Sequence, residues 1–316
     1  FDAHSPLRKK SAVARDKGAS GIIFINPYDS SKATDDLVEF DFDRGGSVTG
    51  LAVVNIKRSF IENLFQAEWK NLSDLYYNIL SNKKSLSFEL QNSSGMISTE
   101  IDEVEATSWN VGGYLEGNDP TLKKEWIIIG AHFDHLGMGG EGSLYRGDEL
   151  QIHNGADDNA SGTTGVLELA EKFASLKNQL KRNLVFFTFS GEELGLLGSD
   201  YLVNHLPFPA EDAITMINMD MIGRLKDSSL IVYGTGSSSS WKDILNKYND
   251  YGFKLTFNDE GFGPSDHSSF YGKKIPVLFF FTGTHEDYHK PSDDTEKINI
   301  DGEKNILDYV YEIAMD

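Results

Sequence analysis

Short apolar segments separated by charged stretches make up the first part of the chain. Residues 7–18 form a basic stretch with helical spacing, and residues 20–26 form a strand-like run that ends at Pro27. Residues 50–56 are a second apolar strand, and residues 59–80 again show the spacing of a helix. These elements predict a small α/β unit.

A different pattern follows this unit. Residues 82–91 and 97–107 alternate apolar and polar positions, as half-buried strands do, and a turn-forming Asn-Ser-Ser-Gly stretch separates them. Residues 111–116 predict one more strand, which is broken before Pro120. The change in pattern predicts a domain boundary between residues 85 and 86.

From residue 125 onwards the apolar runs become continuous, which is typical of strands buried on both faces. Strands alternating with helices indicate an α/β fold whose mixed, mostly parallel sheet is covered by helices on both faces. Active sites of such sheets lie at the carboxyl ends of the strands. The predicted strands are 125–131, 183–190, 213–219, 230–233 and 275–281, and the predicted helices are 162–176, 241–251 and 302–314.

Composition narrows the possible functions. A chain of 316 residues with 39% apolar residues suits about two globular domains. The net charge of −20 argues against a nucleic-acid partner, because nucleic acids attract basic surfaces. Without cysteine the chain has neither disulfides nor thiolate metal ligands, and no apolar run approaches the roughly 20 residues that span a membrane.

Clusters of His, Asp and Glu follow the predicted buried strands or lie at chain breaks. Each has an ordinary alternative explanation: Asp158 and Asn159 could cap a helix, and Asp220 could form a buried salt bridge with Arg224. Their conjunction at one sheet edge is more informative than any single cluster. They are Ala131-His132-Phe133-Asp134-His135, Gly155-Ala156-Asp157-Asp158-Asn159-Ala160-Ser161-Gly162, Ser190-Gly191-Glu192-Glu193, Asn218-Met219-Asp220-Met221 and Asp287-Tyr288-His289-Lys290-Pro291-Ser292-Asp293.

These residue types suit a metal centre. A neutral imidazole such as that of His132 binds zinc, and Asp134 falls on the same side of an extended strand, where it could orient that ring. Asp157 is the candidate for a carboxylate shared by two metals, and Glu192 and Glu193 could divide the roles of base and ligand. Five N and O ligands are too many for one tetrahedral zinc and suit a pair of metals.

The five strings, in this order and spacing, resemble the M28 metallopeptidase family over roughly residues 85–316. The resemblance implies an eight-stranded mixed sheet between helices, and a zinc-dependent aminopeptidase that acts on peptides with a free N-terminus. It also implies two zinc ions per chain, with Asp157 bridging them. The implied ligands are His132, Asp157, Glu193, Asp220 and His289.

The resemblance further implies how the residues act. Glu192 would be the general base for a water that bridges the metals, and Asp134 would orient His132. A cis peptide is expected at Asp157–Asp158. His135 and His285 are expected near the ligands or at the surface rather than on the metals.

One position departs from the family pattern. In the string Gly261-Phe262-Gly263-Pro264-Ser265-Asp266-His267, Phe262 stands where some members have a tyrosine thought to polarise the substrate carbonyl. Because Phe262 has no hydroxyl group, His267 becomes a candidate substrate-binding residue.

Residues 1–85 resemble part of a protease-associated domain, on the strings Leu7-Arg8-Lys9-Lys10-Ser11-Ala12, Lys17-Gly18-Ala19-Ser20-Gly21-Ile22-Ile23-Phe24 and Leu51-Ala52-Val53-Val54-Asn55-Ile56. In the family this domain is inserted into the peptidase, so the chain would begin inside the insert. No signal peptide is visible in the sequence itself, and the habit of the family predicts an extracytoplasmic location, either secreted or periplasmic.

Three alternative functions remain open. A carboxypeptidase or dipeptidase on the same scaffold would need a cation for the substrate carboxylate, and Arg146 and Arg224 are the candidates. A glutaminyl cyclase would use a single zinc, whereas the string from His132 to Asp134 favours two. A non-catalytic binding module would not need to keep Glu192 and the complete ligand set.

Overall fold

The computed structural model describes residues 7–26, 35–37, 50–67, 70–91, 93–100, 105–140, 142–147 and 149–316. The chain divides into two compact units, Phe1–Glu105 and Ala106–Asp316. The segment 86–105, which the sequence assigned to the second domain, therefore falls in the first unit. Within the described residues, no helix has the length and apolar character needed to cross a bilayer.

The first unit contains a pair of parallel strands, β1 (Gly21–Ile25) and β2 (Ala52–Ile56), with Gly21 opposite Ala52. Both strands were predicted. The predicted helix 59–80 is two helices, because Asn71 starts a new one by accepting a hydrogen bond from the N–H of Asp74. The helices of this unit are α1 (Leu7–Asp16), α2 (Arg58–Ala67) and α3 (Leu72–Asn82).

The strands predicted at 82–91 and 97–107 are wrong for the residues that the structure describes there. Helix α3 continues to Asn82, and residues 83–91, 97–100 and 105–107 form no strand. Most of these residues are exposed, so their alternating pattern faces no apolar partner. Alternation predicts a strand only where a neighbouring strand can supply its hydrogen bonds.

Among the residues that the structure describes, the second unit carries a seven-stranded sheet in the order β3-β5-β4-β6-β9-β7-β8, against the eight strands implied by the resemblance. Strands β5, β4, β6 and β9 run parallel, whereas β3 is antiparallel to β5 and β7 is antiparallel to β9. The strands are β3 (Val111–Leu115), β4 (Trp126–His132), β5 (Asn183–Phe189), β6 (Ala213–Met219), β7 (Ser229–Tyr233), β8 (Lys254–Asn258) and β9 (Val277–Phe281).

Helices cover both faces of this sheet, as predicted. Alternate residues of β4 point to opposite faces, so Ile127 and Ile129 join the core cluster beneath α4 and α8, while Ile128 joins the cluster beneath α5 and α7. Full burial of each such side chain contributes about 1.5–3 kcal/mol. The helices are α4 (Gly162–Ser175), α5 (Leu197–Asn204), α6 (Trp241–Lys247), α7 (His267–Gly272) and α8 (Ile300–Met315).

Candidate active site

His132 is the last residue of β4, and its ring faces a cluster of carboxylates. The hydroxyl of Thr163, in the first turn of α4, donates to the backbone carbonyl of His132 at 2.6 Å. The ring Nδ1 lies 3.1 Å from the backbone carbonyl of Asp134. The other nitrogen, Nε2, lies 3.4 Å from Oδ1 of Asp158 and 3.6 Å from Oδ2 of Asp220. One ring nitrogen is therefore held by the backbone, and the other faces the carboxylates.

Asp158 lies between the two histidines that the sequence singled out. Its Oδ1 faces His132, while its Oδ2 lies 3.2 Å from Nε2 of His289. The sequence assigned the shared carboxylate to Asp157, whereas in the structure the carboxylate that faces both His132 and His289 is that of Asp158. The cis peptide also falls one residue later than expected, at Asp158–Asn159.

Asp157 instead connects its own turn, residues 156–161, which we call the aspartate turn, to Gly223 and His285. The N–H of Gly223 donates to Oδ1 of Asp157 at 2.6 Å, and the hydroxyl of Ser161 donates to the same oxygen at 3.1 Å. Oδ2 lies 3.1 Å from Nε2 of His285. Because these partners surround the carboxylate of Asp157, that carboxylate is not directed towards His132 or His289.

Two further side chains hold the aspartate turn in place. Oδ2 of Asp293 accepts hydrogen bonds from the N–H groups of Asp157 and Asp158, at 2.8 and 3.1 Å. Oδ1 of Asn159 accepts from the N–H of Gly162 at 2.9 Å, which caps the start of α4. Asp293 belongs to the last of the five sequence motifs, but its residue type and spacing predicted no role for it.

Asp134 organises the turn that follows β5. Its two carboxylate oxygens accept hydrogen bonds from the N–H groups of Glu192, at 3.0 Å, and of Glu193, at 3.3 Å. The distance from Oδ1 of Asp134 to Nδ1 of His132 is 3.8 Å, too long for a hydrogen bond. Asp134 was predicted to orient His132, but its carboxylate fixes the two glutamates instead. Gly191 allows this turn because its φ of 71° lies in the left-handed region.

The two adjacent glutamates face different histidines. Oε2 of Glu193 lies 3.2 Å from Nε2 of His289, and Oε1 lies 2.7 Å from Nδ1 of His135. Glu192 turns towards the other histidine, with Oε2 4.0 Å from Nε2 of His132. His135 therefore contacts a predicted ligand, which agrees with its expected place beside the ligands.

Asp220 follows β6 and points into the same cluster. Its Oδ1 is buried and has no hydrogen-bond partner among the described residues. The alternative of a salt bridge to Arg224 does not hold, because that guanidinium pairs with Asp287 and Asp293 at 3.1 Å each. A buried carboxylate oxygen without a partner is costly unless a cation joins it.

The carboxylates of the cluster raise the pKa values of His132 and His289. Burial alone would lower the pKa of His132, but Asp220 and Asp158 raise that pKa well above its usual range. Burial has the same lowering effect on the pKa of His289, yet hydrogen bonds to Asp158 and Glu193 raise it to about 10. In the absence of a metal, both imidazoles therefore carry a proton at neutral pH.

Two of the carboxylates that face His132, those of Glu192 and Asp220, have raised pKa values. Burial raises the pKa of Glu192 to about 9; His132 opposes this rise, while Asp220 adds to it. Burial also raises the pKa of Asp220. Glu192 thus holds a proton more readily than an ordinary glutamate does.

Zinc fits this arrangement of side chains. Donor atoms of His132, Glu192 and Asp220 lie within 4.8 Å of one another, and so do those of His135, Asp158 and Glu193. A tetrahedral ion with bonds of about 2.0–2.1 Å sets its ligand atoms about 3.3–3.4 Å apart, close to the observed 3.2–3.6 Å. The set contains only imidazole and carboxylate donors, and one buried carboxylate oxygen lacks a partner.

His267 does not lie where a substrate could reach it. Its side chain is 0% exposed and stacks on Phe279 with ring centroids 4.5 Å apart. Burial lowers its pKa to about 3, so the imidazole is neutral. The buried position of His267 gives no support to the substrate-binding role suggested for it. Phe262, by contrast, is 58% exposed and packs edge-on against Tyr271.

The chain is similar in sequence to known peptidases. The model of Peptidase family M28 matches residues 110–314. Leupeptin-inactivating enzyme 1 of Streptomyces exfoliatus is 32% identical over 61% of this chain and 39% of its own length. Leucine aminopeptidase 2 of Trichophyton rubrum is 27% identical over 87% of this chain and 48% of its own length. The chain thus spans about half or less of these curated relatives.

Solved structures show the same fold. An aminopeptidase from Aneurinibacillus sp. strain AM-1 covers 98% of this chain and 66% of its own, with a TM-score of 0.58 and 25% identity. A zinc aminopeptidase from Bacillus subtilis covers 65% of this chain and 48% of its own, with a TM-score of 0.52 and 27% identity. Since the family model matches most of the chain and covers every residue of the cluster described above, the chain belongs to peptidase family M28.

Proposed function

We propose that this chain carries the catalytic site of a di-zinc aminopeptidase, which removes the N-terminal residue from peptides. The observation that carries the proposal is the carboxylate of Asp158, whose two oxygens face His132 and His289 on opposite sides. A carboxylate in this position can bind two ions at once, as in two-metal hydrolases.

The ligands divide into two sets that share Asp158. His132 and Asp220 would complete the first set, and His289 and Glu193 would complete the second. When bound, zinc supplies Lewis-acid polarisation of the substrate carbonyl and lowers the pKa of water. His135 lies behind Glu193 and would hold that carboxylate in position.

Glu192 is the proposed general base. Its carboxylate faces the first set, and its backbone is fixed by Asp134. It would take a proton from the attacking water and deliver it to the leaving amine. The C–N bond of the peptide breaks, the hydroxyl of the water joins the carbonyl carbon, and the proton completes the new amine.

The pairing of Arg224 favours a substrate with a free α-amino group over one recognised by its carboxylate. Arg224, a candidate for binding a substrate carboxylate, is already paired with Asp287 and Asp293. A carboxypeptidase or dipeptidase would need a free cation here. The proteins to which this chain is similar include leucine aminopeptidases and a zinc aminopeptidase, which supports the same preference.

Residues 1–85 are proposed to belong to a protease-associated domain. The parallel pair β1 and β2 with its neighbouring helices suits a small α/β unit, and the Aneurinibacillus aminopeptidase is similar across 98% of the chain. An experimental structure in which these residues adopt another fold would contradict this part of the proposal.

Zinc analysis combined with a turnover assay tests the proposed activity. We expect about two zinc ions per chain and hydrolysis of leucine-para-nitroanilide that stops on chelation. Glu192→Gln should keep both ions and lose about 10²–10⁴-fold in turnover. Glu171→Gln, which removes a charge from the exposed side of α4, is the matched control and should behave as wild type.

Each outcome of this experiment is decisive. Wild-type turnover in Glu192→Gln would exclude Glu192 as the base. A zinc-loaded wild type that cleaves no free-amine peptide, but cleaves acetylated peptides, would favour the carboxypeptidase alternative. One zinc per chain would contradict the shared role of Asp158.

A further inference from the structure

A cavity of about 540 Å³ lies between α4 and α8, and the proposed reaction does not use it. Ala156, Ala160 and Ser161 of the aspartate turn form part of its lining. Apolar side chains supply much of the remainder, including Leu169, Ile298 and Leu307. Its size is within the range of sites that bind small molecules.

A buried carboxylate lines this cavity. Glu303, in the first turn of α8, is only 7% exposed, and its carboxylate forms no hydrogen bond or ion pair with the described residues. Burial raises its pKa to about 7, and Asp157 and Glu168 contribute to this rise. A carboxyl group buried without a partner is costly, so its place in a cavity wall suggests a ligand that compensates it.

The cations of the cavity wall do not compensate Glu303. Lys172 lies 2.7 Å from Asp308, and Lys304 lies 3.2 Å from the other oxygen of the same carboxylate. Glu168 adds a further negative charge at the exposed side of the cavity. The cavity therefore combines an apolar wall with negative charge that the lysines leave unpaired.

We propose that this cavity binds a small primary ammonium ion that carries an apolar body. The ammonium group donates to the carboxylate of Glu303, and the apolar body packs against Leu169, Ile298 and Leu307. A charge-assisted hydrogen bond of this kind is stronger than a neutral one. Binding here does not depend on the proposed peptidase activity, because neither Glu303 nor these apolar residues belong to the metal ligands.

Calorimetric titration with hexylammonium at pH 8 tests the proposal. Glu303→Gln should weaken binding about 10-fold or more, because it removes the charge and keeps the shape. Glu171→Gln removes an equal charge from α4 outside the cavity and should bind as wild type. Hexan-1-ol and hexanoate should bind wild type at least about 10-fold more weakly than hexylammonium does.

A second variant tests whether the cavity itself binds hexylammonium, without a change in the charge of the protein. Thr164→Phe places an aromatic ring into the cavity wall without altering charge, and it should also weaken hexylammonium binding. If hexylammonium instead binds at the acidic cluster around Glu193, its affinity should be the same in all three variants as in wild type, and this result would contradict the proposal. Equal affinity in wild type and Glu303→Gln, or no binding to wild type, would overturn the proposal.

Discussion

Replacing Glu303 with glutamine should stabilise the folded protein relative to wild type, and this gain in stability should be larger at alkaline pH than at acidic pH. Burial raises the pKa of Glu303 from its ordinary 4.5 to about 7. The folded state therefore holds this proton more tightly than the unfolded state does. Wild type loses stability as the pH rises from about 4.5 to about 7, and the full loss persists above that range. Glutamine carries no charge and escapes this loss.

The magnitude follows from the size of the shift. A change of one pKa unit corresponds to about 1.36 kcal/mol, so the rise from 4.5 to about 7 corresponds to at most about 3 kcal/mol at pH 8. Part of that loss is already present at pH 5.5, which leaves about 2 kcal/mol between pH 5.5 and pH 8. Solvent in the cavity screens the carboxylate, so we expect a difference of about 1–2 kcal/mol.

Urea unfolding at pH 5.5 and pH 8 measures this difference in the free energy of unfolding. Zinc must be saturating at both pH values, because bound metal adds to apparent stability. Glu171→Gln, on the exposed side of α4, should show no such pH dependence. If Glu303→Gln differs from wild type by the same amount at both pH values, or is the less stable protein at pH 8, the assignment of an uncompensated carboxylate is refuted.

Three further predictions concern the metal centre. Asp158→Asn should lower the zinc content below about two ions per chain, whereas Asp157→Asn should retain zinc and unfold at a lower temperature. Zinc binding at pH 7 should release protons, because the raised pKa values of His132 and His289 keep both protonated without metal, and affinity should rise with pH in calorimetry. Asp134→Ala should lower zinc affinity or turnover about 10–100-fold, by freeing the backbone of both glutamates; unchanged values would contradict that role.

The sequence predicted the central strands well because their pattern is unambiguous. Strands β4, β5, β6 and β9 are continuous apolar runs buried on both faces, and their bounds agree with prediction within about two residues. Helices α5 and α7 and strand β8 were missed. They are short, from five to eight residues, so their patterns are too brief to separate helix from strand.

The site was predicted in its residue types and less well in its details. His132, Glu193, Asp220 and His289 do converge, because the carboxyl ends of parallel strands share one edge of the sheet. Their metal-binding role, the protease-associated domain and the extracytoplasmic location remain predictions. The choice between Asp157 and Asp158 depended on the direction in which each carboxylate points inside the aspartate turn. The spacing of residues along the sequence carries no information on that direction.

The proposed ligands come from turns that lie far apart along the chain, from His132 to His289. In a chain without cysteine, bound zinc would act as the cross-link between these turns. Removing it would leave the apolar core of the sheet in place but release several long loops at once, and each loop would regain conformational entropy. The carboxyl edge of the sheet should then exchange its amide hydrogens and admit proteases before the opposite edge does.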